Sequence, residues 1–122
     1  MIESGCFYVP LDEEMPKRRI ELIIENTKAR VIICDQENLK RVKELPFDGE
    51  IMLHEELAKK REDKEKLDKV RRTALDTDPL YVLFTSGSAG MPKGVVGHHR
   101  GVIDYIDQLS AVLDFDKESV FG

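Results

Sequence analysis

The chain carries only two cysteines, Cys6 and Cys34, among its 122 residues. They stand far apart in apolar surroundings, without metal-ligand or redox spacing, so both are expected to be reduced core residues of a cytoplasmic protein. No apolar run approaches the ~20 residues that cross a bilayer, and no charged-then-apolar leader is present, so neither membrane spanning nor secretion is expected. Basic residues are in deficit. The net charge of -5 argues against a general nucleic-acid binder, which needs a basic face to displace counterions. No internal repeat is visible. His54-Glu55 opens like a zinc-protease helix, but Ala58 stands where the second histidine belongs, and no metal site is expected.

What is present fits one folded domain. Hydrophobic residues make up 41% and charged residues 35%, at a length that can bury a moderate core. Gly5-Cys6-Phe7-Tyr8-Val9-Pro10-Leu11-Asp12 has the aromatic and β-branched content of a short strand ended by proline. After Pro16, which a first helical turn tolerates, Ile20, Ile23 and Ile24 recur at helical spacing, with Arg18, Arg19, Glu21 and Glu25 expected to face water. Arg30-Val31-Ile32-Ile33-Cys34-Asp35 reads as a buried strand ending in an acid. Strand ends often carry functional groups in α/β folds, but a solvated turn or helix cap is the stronger reading of Asp35. Leu39, Val42 and Leu45 mark a second short helix closed by Pro46, and Ile51-Met52-Leu53 one more strand. This alternation implies an α/β fold, a mostly parallel sheet with covering helices.

Charge crowds the chain from Glu55 to Arg72. Glu62 with Lys66, and Glu65 with Lys69, fall at i,i+4 in the favourable order and support an exposed helix; a disordered connection is the other reading. Asp76-Thr77-Asp78-Pro79 is a turn cluster. Further on, His98 and His99 adjoin on an expected strand and so point to opposite faces. Lys93, Arg100 and these two histidines form a locally positive group. Val102, Ile106, Leu109 and Leu113 then set the rhythm of an amphipathic packing helix, and Val120-Phe121-Gly122 reads as a strand beginning.

The most informative stretch lies between the turn and the histidines. Leu80-Tyr81-Val82-Leu83-Phe84 runs into Thr85-Ser86-Gly87-Ser88-Ala89-Gly90-Met91-Pro92-Lys93-Gly94, and Val95-Val96 follow directly. Glycines let consecutive N–H groups converge on an oxyanion, Thr85, Ser86 and Ser88 add hydroxyl donors, and Lys93 adds a mobile point charge suited to phosphate. A Gly-Lys-Ser/Thr triplet is absent, so this is not the Walker strand–loop–helix motif. A strand, a glycine-rich loop and a second strand are expected instead. Composition alone leaves an ordinary hairpin loop equally open; the order of the residues decides.

That order resembles the signature loop of the adenylate-forming superfamily, Thr-Ser-Gly-Ser/Thr-Thr-Gly-x-Pro-Lys-Gly, followed by a hydrophobic strand and a histidine. Thr85 to Gly94, Val95-Val96 and His99 match it, and Ala89 departs from it by one hydroxyl. Gly5 to Asp12 is similar to the Gly-x-x-Tyr-Val-Pro-Leu-Asp segment of adenylation domains, especially those of amino-acid-activating peptide synthetases. The resemblance implies that residues 1–122 are a single partial domain, an excised piece of the large N-terminal domain of a longer enzyme. The stretches that border adenine, ribose and magnesium in that family, and its C-terminal lysine, have no counterparts here.

For the parent enzyme the resemblance implies activation of a carboxylate, here an amino acid, by ATP with magnesium. Transfer to the phosphopantetheine thiol of a carrier protein would follow. Thr85, Ser86, Gly87, Ser88, Gly90, Lys93 and Gly94 are then the phosphate-holding residues, with Lys93 the catalytic cation and His99 near the acyl pocket; no residue is assigned to metal. The chain alone is expected to be inactive, to hold no cofactor tightly, and to self-associate through surfaces the rest of the enzyme would cover. The alternative is a free-standing phosphate-binding or scaffold module.

Overall fold

The computed structural model describes residues 5–86 and 91–113, and its packing is organised by helix α1 (Lys17–Thr27). The isoleucine spacing puts Ile20, Ile23 and Ile24 on one buried face, with Ile23 only 2% exposed. Pro16 sits at the cap position and not inside the helix; its carbonyl accepts from the Arg19 and Ile20 amides at 2.9 and 3.2 Å. At the other end Lys28 takes the left-handed conformation, φ 50°, that turns the chain out of the helix.

Strand β1 (Val31–Cys34) follows, then helix α2 (Leu39–Lys43) and strand β2 (Glu50–Leu53), which pairs parallel to β1 from Val31↔Glu50 to Cys34↔Leu53. A parallel pair needs a crossover connection, and α2 lies within it. Ile20 and Ile24 of α1 meet Ile32 of β1, and Met15, Val42, Leu45 and Phe47 pack around them. The sheet is covered on that face. On the other, Val31 and Ile33 are exposed, so the strand expected to be buried is buried on one side only. Asp35 acts in the turn into α2. Its Oδ1 accepts from the Asn38 amide at 2.8 Å, and that bond holds its carboxyl below the ordinary carboxylate range.

The charged segment forms two short helices, α3 (His54–Leu57) and α4 (Lys64–Thr73). Asp63 caps α4 by accepting from the Lys66 amide at 3.2 Å, and the Lys66 ammonium lies 3.2 Å from the same carboxylate. Glu62 precedes the helix, so its expected i,i+4 partnership with Lys66 is replaced by the Asp63 cap.

Strand β3 (Pro79–Thr85) and strand β4 (Lys93–His98) form an antiparallel hairpin, the expected strand–loop–strand, and helix α5 (His99–Leu113) continues from it. The chain is thus a mixed α/β fold with a small parallel sheet and a separate hairpin. The N-terminal segment is not a full strand: Tyr8 alone bridges to Tyr81 in the parallel sense, and Cys6 is exposed, contrary to its expected place in the core. His99 opens α5, so the two histidines do not alternate along one strand. The α5 stripe packs only in part: Val102 and Leu109 are half-buried, while Ile106 and Leu113, with neighbouring Ile103, are each more than half exposed. The strand expected at Val120–Gly122 lies outside the described residues. Among the described residues no helix is long and apolar enough to cross a membrane.

Three outcomes follow from the core and from the end of α1. Ile23→Ala is expected to destabilise the chain by about 2–5 kcal/mol, the usual cost of emptying a filled core site, while Ile33→Ala costs less than about 1 kcal/mol; urea midpoints measure both. Lys28→Gly should raise stability by about 0.5–1 kcal/mol, read as a higher urea midpoint, because glycine enters the left-handed region without a Cβ clash.

Candidate phosphate-binding site

Hairpin register brings the first and last described parts of the loop together. Thr85 is paired with Lys93 and Phe84 with Gly94, so the hydroxyl of one strand end stands opposite the ammonium-bearing residue of the other. Thr85, Ser86, Lys93 and Gly94 are all exposed at this mouth. Gly87, Ser88 and Gly90, with Ala89, lie outside the described residues.

The strands below are built for close approach. Leu80 and Val82 are buried, as the alternation along β3 predicts. Opposite Phe84 and Tyr81, β4 carries glycine, Gly94 and Gly97. A Cβ on Gly94 would lie 2.9 Å from Val82 Cγ1 and 3.2 Å from the Phe84 ring, and one on Gly97 would lie 2.4 Å from Tyr81 Cζ. Glycine is therefore required here by space, with Gly94 letting Val82 and Phe84 close over the strand.

Electrostatics single out Lys93. Among the described residues it makes no ion pair. Arg100, grouped with it in sequence, is engaged elsewhere: its Nη1 reaches Asp76 Oδ2 at 3.0 Å, and its amide donates to the Asp76 carbonyl at 2.8 Å. His98 Nδ1 lies 2.6 Å from the Thr77 carbonyl, which can only accept, so that nitrogen carries the proton. These contacts tie the turn before β3 to the junction of β4 and α5. The positive group read from the sequence is thereby divided, and Lys93 is its member at the loop.

His99 is not brought to the loop. It follows the far end of β4, and at about 3.4 Å per residue that strand separates it from Lys93 by roughly 17 Å. It is half-buried, and its amide lies 3.4 Å from the Asp78 carbonyl.

One residue near the site was missed. Arg19, expected in water, is half-buried, and its Nη2 donates to the Phe84 carbonyl at 3.2 Å, immediately before Thr85. The partners are 65 positions apart. The only local signal is that Arg19 adjoins the isoleucine stripe of α1, where a long stem can lie along apolar surface.

The arrangement offers hydroxyl donors and a mobile cation on an open mouth. It suits polyanion binding. Two hollows, of ≈ 410 and ≈ 550 Å³, lie elsewhere, the first against Ile32, Cys34 and Val42 and the second against Arg18, Ile24 and Arg30. Among the described residues no group of three or more His, Cys, Asp or Glu side chains could hold a metal ion.

Comparison with known proteins gives the family and the fold. A family model described as AMP-binding enzyme matches residues 1–121. The chain is 34% identical over 123 residues to N-(5-amino-5-carboxypentanoyl)-L-cysteinyl-D-valine synthase of Penicillium rubens, covering 98% of this chain but 3% of that protein. Among solved structures, VinN in complex with L-aspartate shares the fold, with a TM-score of 0.73 at 21% identity, over 96% of this chain and 34% of VinN. Holo-AB3403, a four-domain nonribosomal peptide synthetase bound to AMP and glycine, matches with a TM-score of 0.69 at 27% identity, over 97% of this chain and 8% of its own. The chain thus spans a small part of each protein it matches.

The close approach at Gly94 has a measurable consequence. Gly94→Ala is expected to cost about 1–3 kcal/mol through overpacking. Combined with Val82→Ala in a double-mutant cycle, it should cost less than the sum of the single changes. Strict additivity of the urea midpoints would show that the added methyl meets no resistance.

Proposed function

Because the chain belongs to the AMP-binding enzyme family, we propose that residues 1–122 are a single partial domain of an adenylate-forming ligase, and that Thr85 to Gly94 hold the pyrophosphate end of ATP. The observation that carries this reading is the Thr85↔Lys93 pair at the hairpin mouth, which sets a hydroxyl donor beside an ammonium that makes no ion pair among the described residues.

In the assembled ligase a carboxylate oxygen of the substrate attacks the α-phosphorus of ATP. The bond from that phosphorus to the bridging oxygen breaks, giving an acyl-adenylate and pyrophosphate. Negative charge grows on the departing group. Thr85, Ser86 and Ser88 donate hydroxyls to it, Gly87, Gly90 and Gly94 admit it to backbone N–H groups, and Lys93 stabilises its charge. This is electrostatic work, with no proton transferred by the loop. His99, remote from the phosphates along β4, belongs to the acyl side of the site.

An amino acid is the proposed acid. Supporting this are the likeness to a synthase whose name describes a peptide, and to structures bound to glycine or L-aspartate. A carrier-protein thiol bearing phosphopantetheine is the proposed acceptor, and the cytoplasm the proposed location. The exposed α5 stripe supports self-association of the chain when it stands alone.

Calorimetric titration of the chain with pyrophosphate tests the loop. Saturable binding is expected, weakened about tenfold by Lys93→Ala and further by salt, as loss of an exposed phosphate-facing charge requires. Binding that Lys93→Ala leaves unchanged would overturn the assignment. The chain alone should give no amino-acid-dependent ATP–pyrophosphate exchange, because one phosphate loop does not orient two reactants.

A further inference from the structure

We infer that Arg19 is a positioning residue of the phosphate loop, its guanidinium fixing the end of β3 from which Thr85 and Ser86 project; the inference rests on the reading of Thr85 to Gly94 as that loop. The argument begins with the two edges of β3. The Tyr8 amide donates to the Leu80 carbonyl at 3.1 Å, and the Val82 amide donates to the Tyr8 carbonyl at 2.9 Å. Leu80 and Val82 therefore turn their backbone groups away from β4. By the alternation of a strand Phe84 does so too, while Tyr81, Leu83 and Thr85 turn theirs toward β4.

Tyr8 reaches no further than Val82. Beyond it the Phe84 carbonyl would face outward without a strand partner, and Arg19 Nη2 occupies that place at 3.2 Å. The guanidinium thus continues, for one carbonyl, the edge that the N-terminal segment began. The bond is charge-assisted and half-buried, which strengthens it relative to a bond in open water. It is also firmly anchored, because Arg19 sits beside Ile20 and one turn before Ile23, in the best-buried helix of the chain. Arg19 Nε is buried without an acceptor among the described residues, so the head group is held by packing and committed through its Nη2.

The next residue after Phe84 forms the last described rung, Thr85↔Lys93. Fixing the Phe84 carbonyl restrains the peptide that leads into Thr85, and with it the hydroxyl and the ammonium at the mouth. Without Arg19 this rung is free to fray while the inner rungs stay clamped between Tyr8 and β4. Arg19 touches no phosphate in this arrangement; it acts through the backbone.

Amide hydrogen exchange of the full chain, resolved by NMR, tests this. In Arg19→Met, which keeps an aliphatic stem but no donor, protection of the Thr85 amide should fall about tenfold, as loss of one charge-assisted bond implies. The Leu83 and Tyr81 amides should change little. Arg19→Lys, which keeps one donor, should recover part of the protection, and it carries the comparison if Arg19→Met does not fold. Pyrophosphate affinity should fall in parallel with the Thr85 effect. Unchanged Thr85 protection, or an equal fall at Leu83 and Thr85, would overturn the inference, since the second pattern marks a merely structural arginine. Absence of pyrophosphate binding in the unaltered chain would overturn the phosphate-loop reading; a fall confined to Thr85 would then still uphold Arg19 as the residue that sets the strand end.

Discussion

Strand β3 has two edges, and each backbone group along it needs a partner, because an unpaired buried N–H or C=O costs about as much as a lost hydrogen bond. That requirement joins four separate parts of the chain. Strand β4 serves one edge, Tyr8 serves part of the other, and Arg19 reaches across from α1 to the Phe84 carbonyl. Each partner brings something with it. Tyr8 docks the N-terminal segment and sets its ring 6.1 Å from that of Tyr81; Arg19 ties the isoleucine core to the hairpin; β4 delivers Lys93 opposite Thr85. The site is thus a product of satisfying one strand.

Local order made much of this legible. Isoleucines at helical spacing defined α1, and the run from Leu80 to Phe84 with a glycine-rich loop behind it defined the hairpin, because both patterns depend on neighbours within a few residues. The family signature likewise resides in consecutive positions, Thr85 to Gly94. What sequence did not disclose was long-range or dependent on covering layers. Arg19 and Phe84 are 65 positions apart, and nothing in a helix pattern says which arginine will find a carbonyl. Val31, Ile33 and the α5 stripe have the composition of buried elements, yet burial also needs a second layer, and none of the described residues supplies it. Cys6 fails for the same reason, since an apolar neighbourhood in sequence is not an apolar neighbourhood in space. His99 was placed on a strand because the apolar run continues through Val95-Val96, whereas Asp76, Thr77 and Asp78 tie the junction down and α5 starts there.

The exposed apolar surface and the exposed cation have opposite meanings. Ile103, Ile106 and Leu113 lose by contact with water, and burying them against any apolar partner is favourable at about 25 cal/mol per Å². Lys93 is solvated at little cost as it stands. Burying it without an anion would be strongly unfavourable, whereas burying it against phosphate exchanges one set of strong contacts for another. A layer that covers α5 can therefore form by hydrophobic association alone, but a layer that closes over the loop mouth requires the anion to be present.

The same reasoning bears on how strongly the loop can act. Two unit charges 4 Å apart attract by about 1 kcal/mol in bulk water and by about 4 kcal/mol at the effective dielectric of a protein surface. Lys93, exposed on the protein surface, acts between these two values, enough to bias an encounter with an anion. Enclosure would lower the effective dielectric further and strengthen the attraction without altering a single residue of the loop. Rigidity matters in proportion, because a charge that wanders by an ångström in a low dielectric wastes more than one that wanders in water. A restrained strand end at Phe84 is thus of modest value while the mouth is open and of much greater value once it is enclosed, which is why a helix anchored in the core is a suitable origin for the restraint.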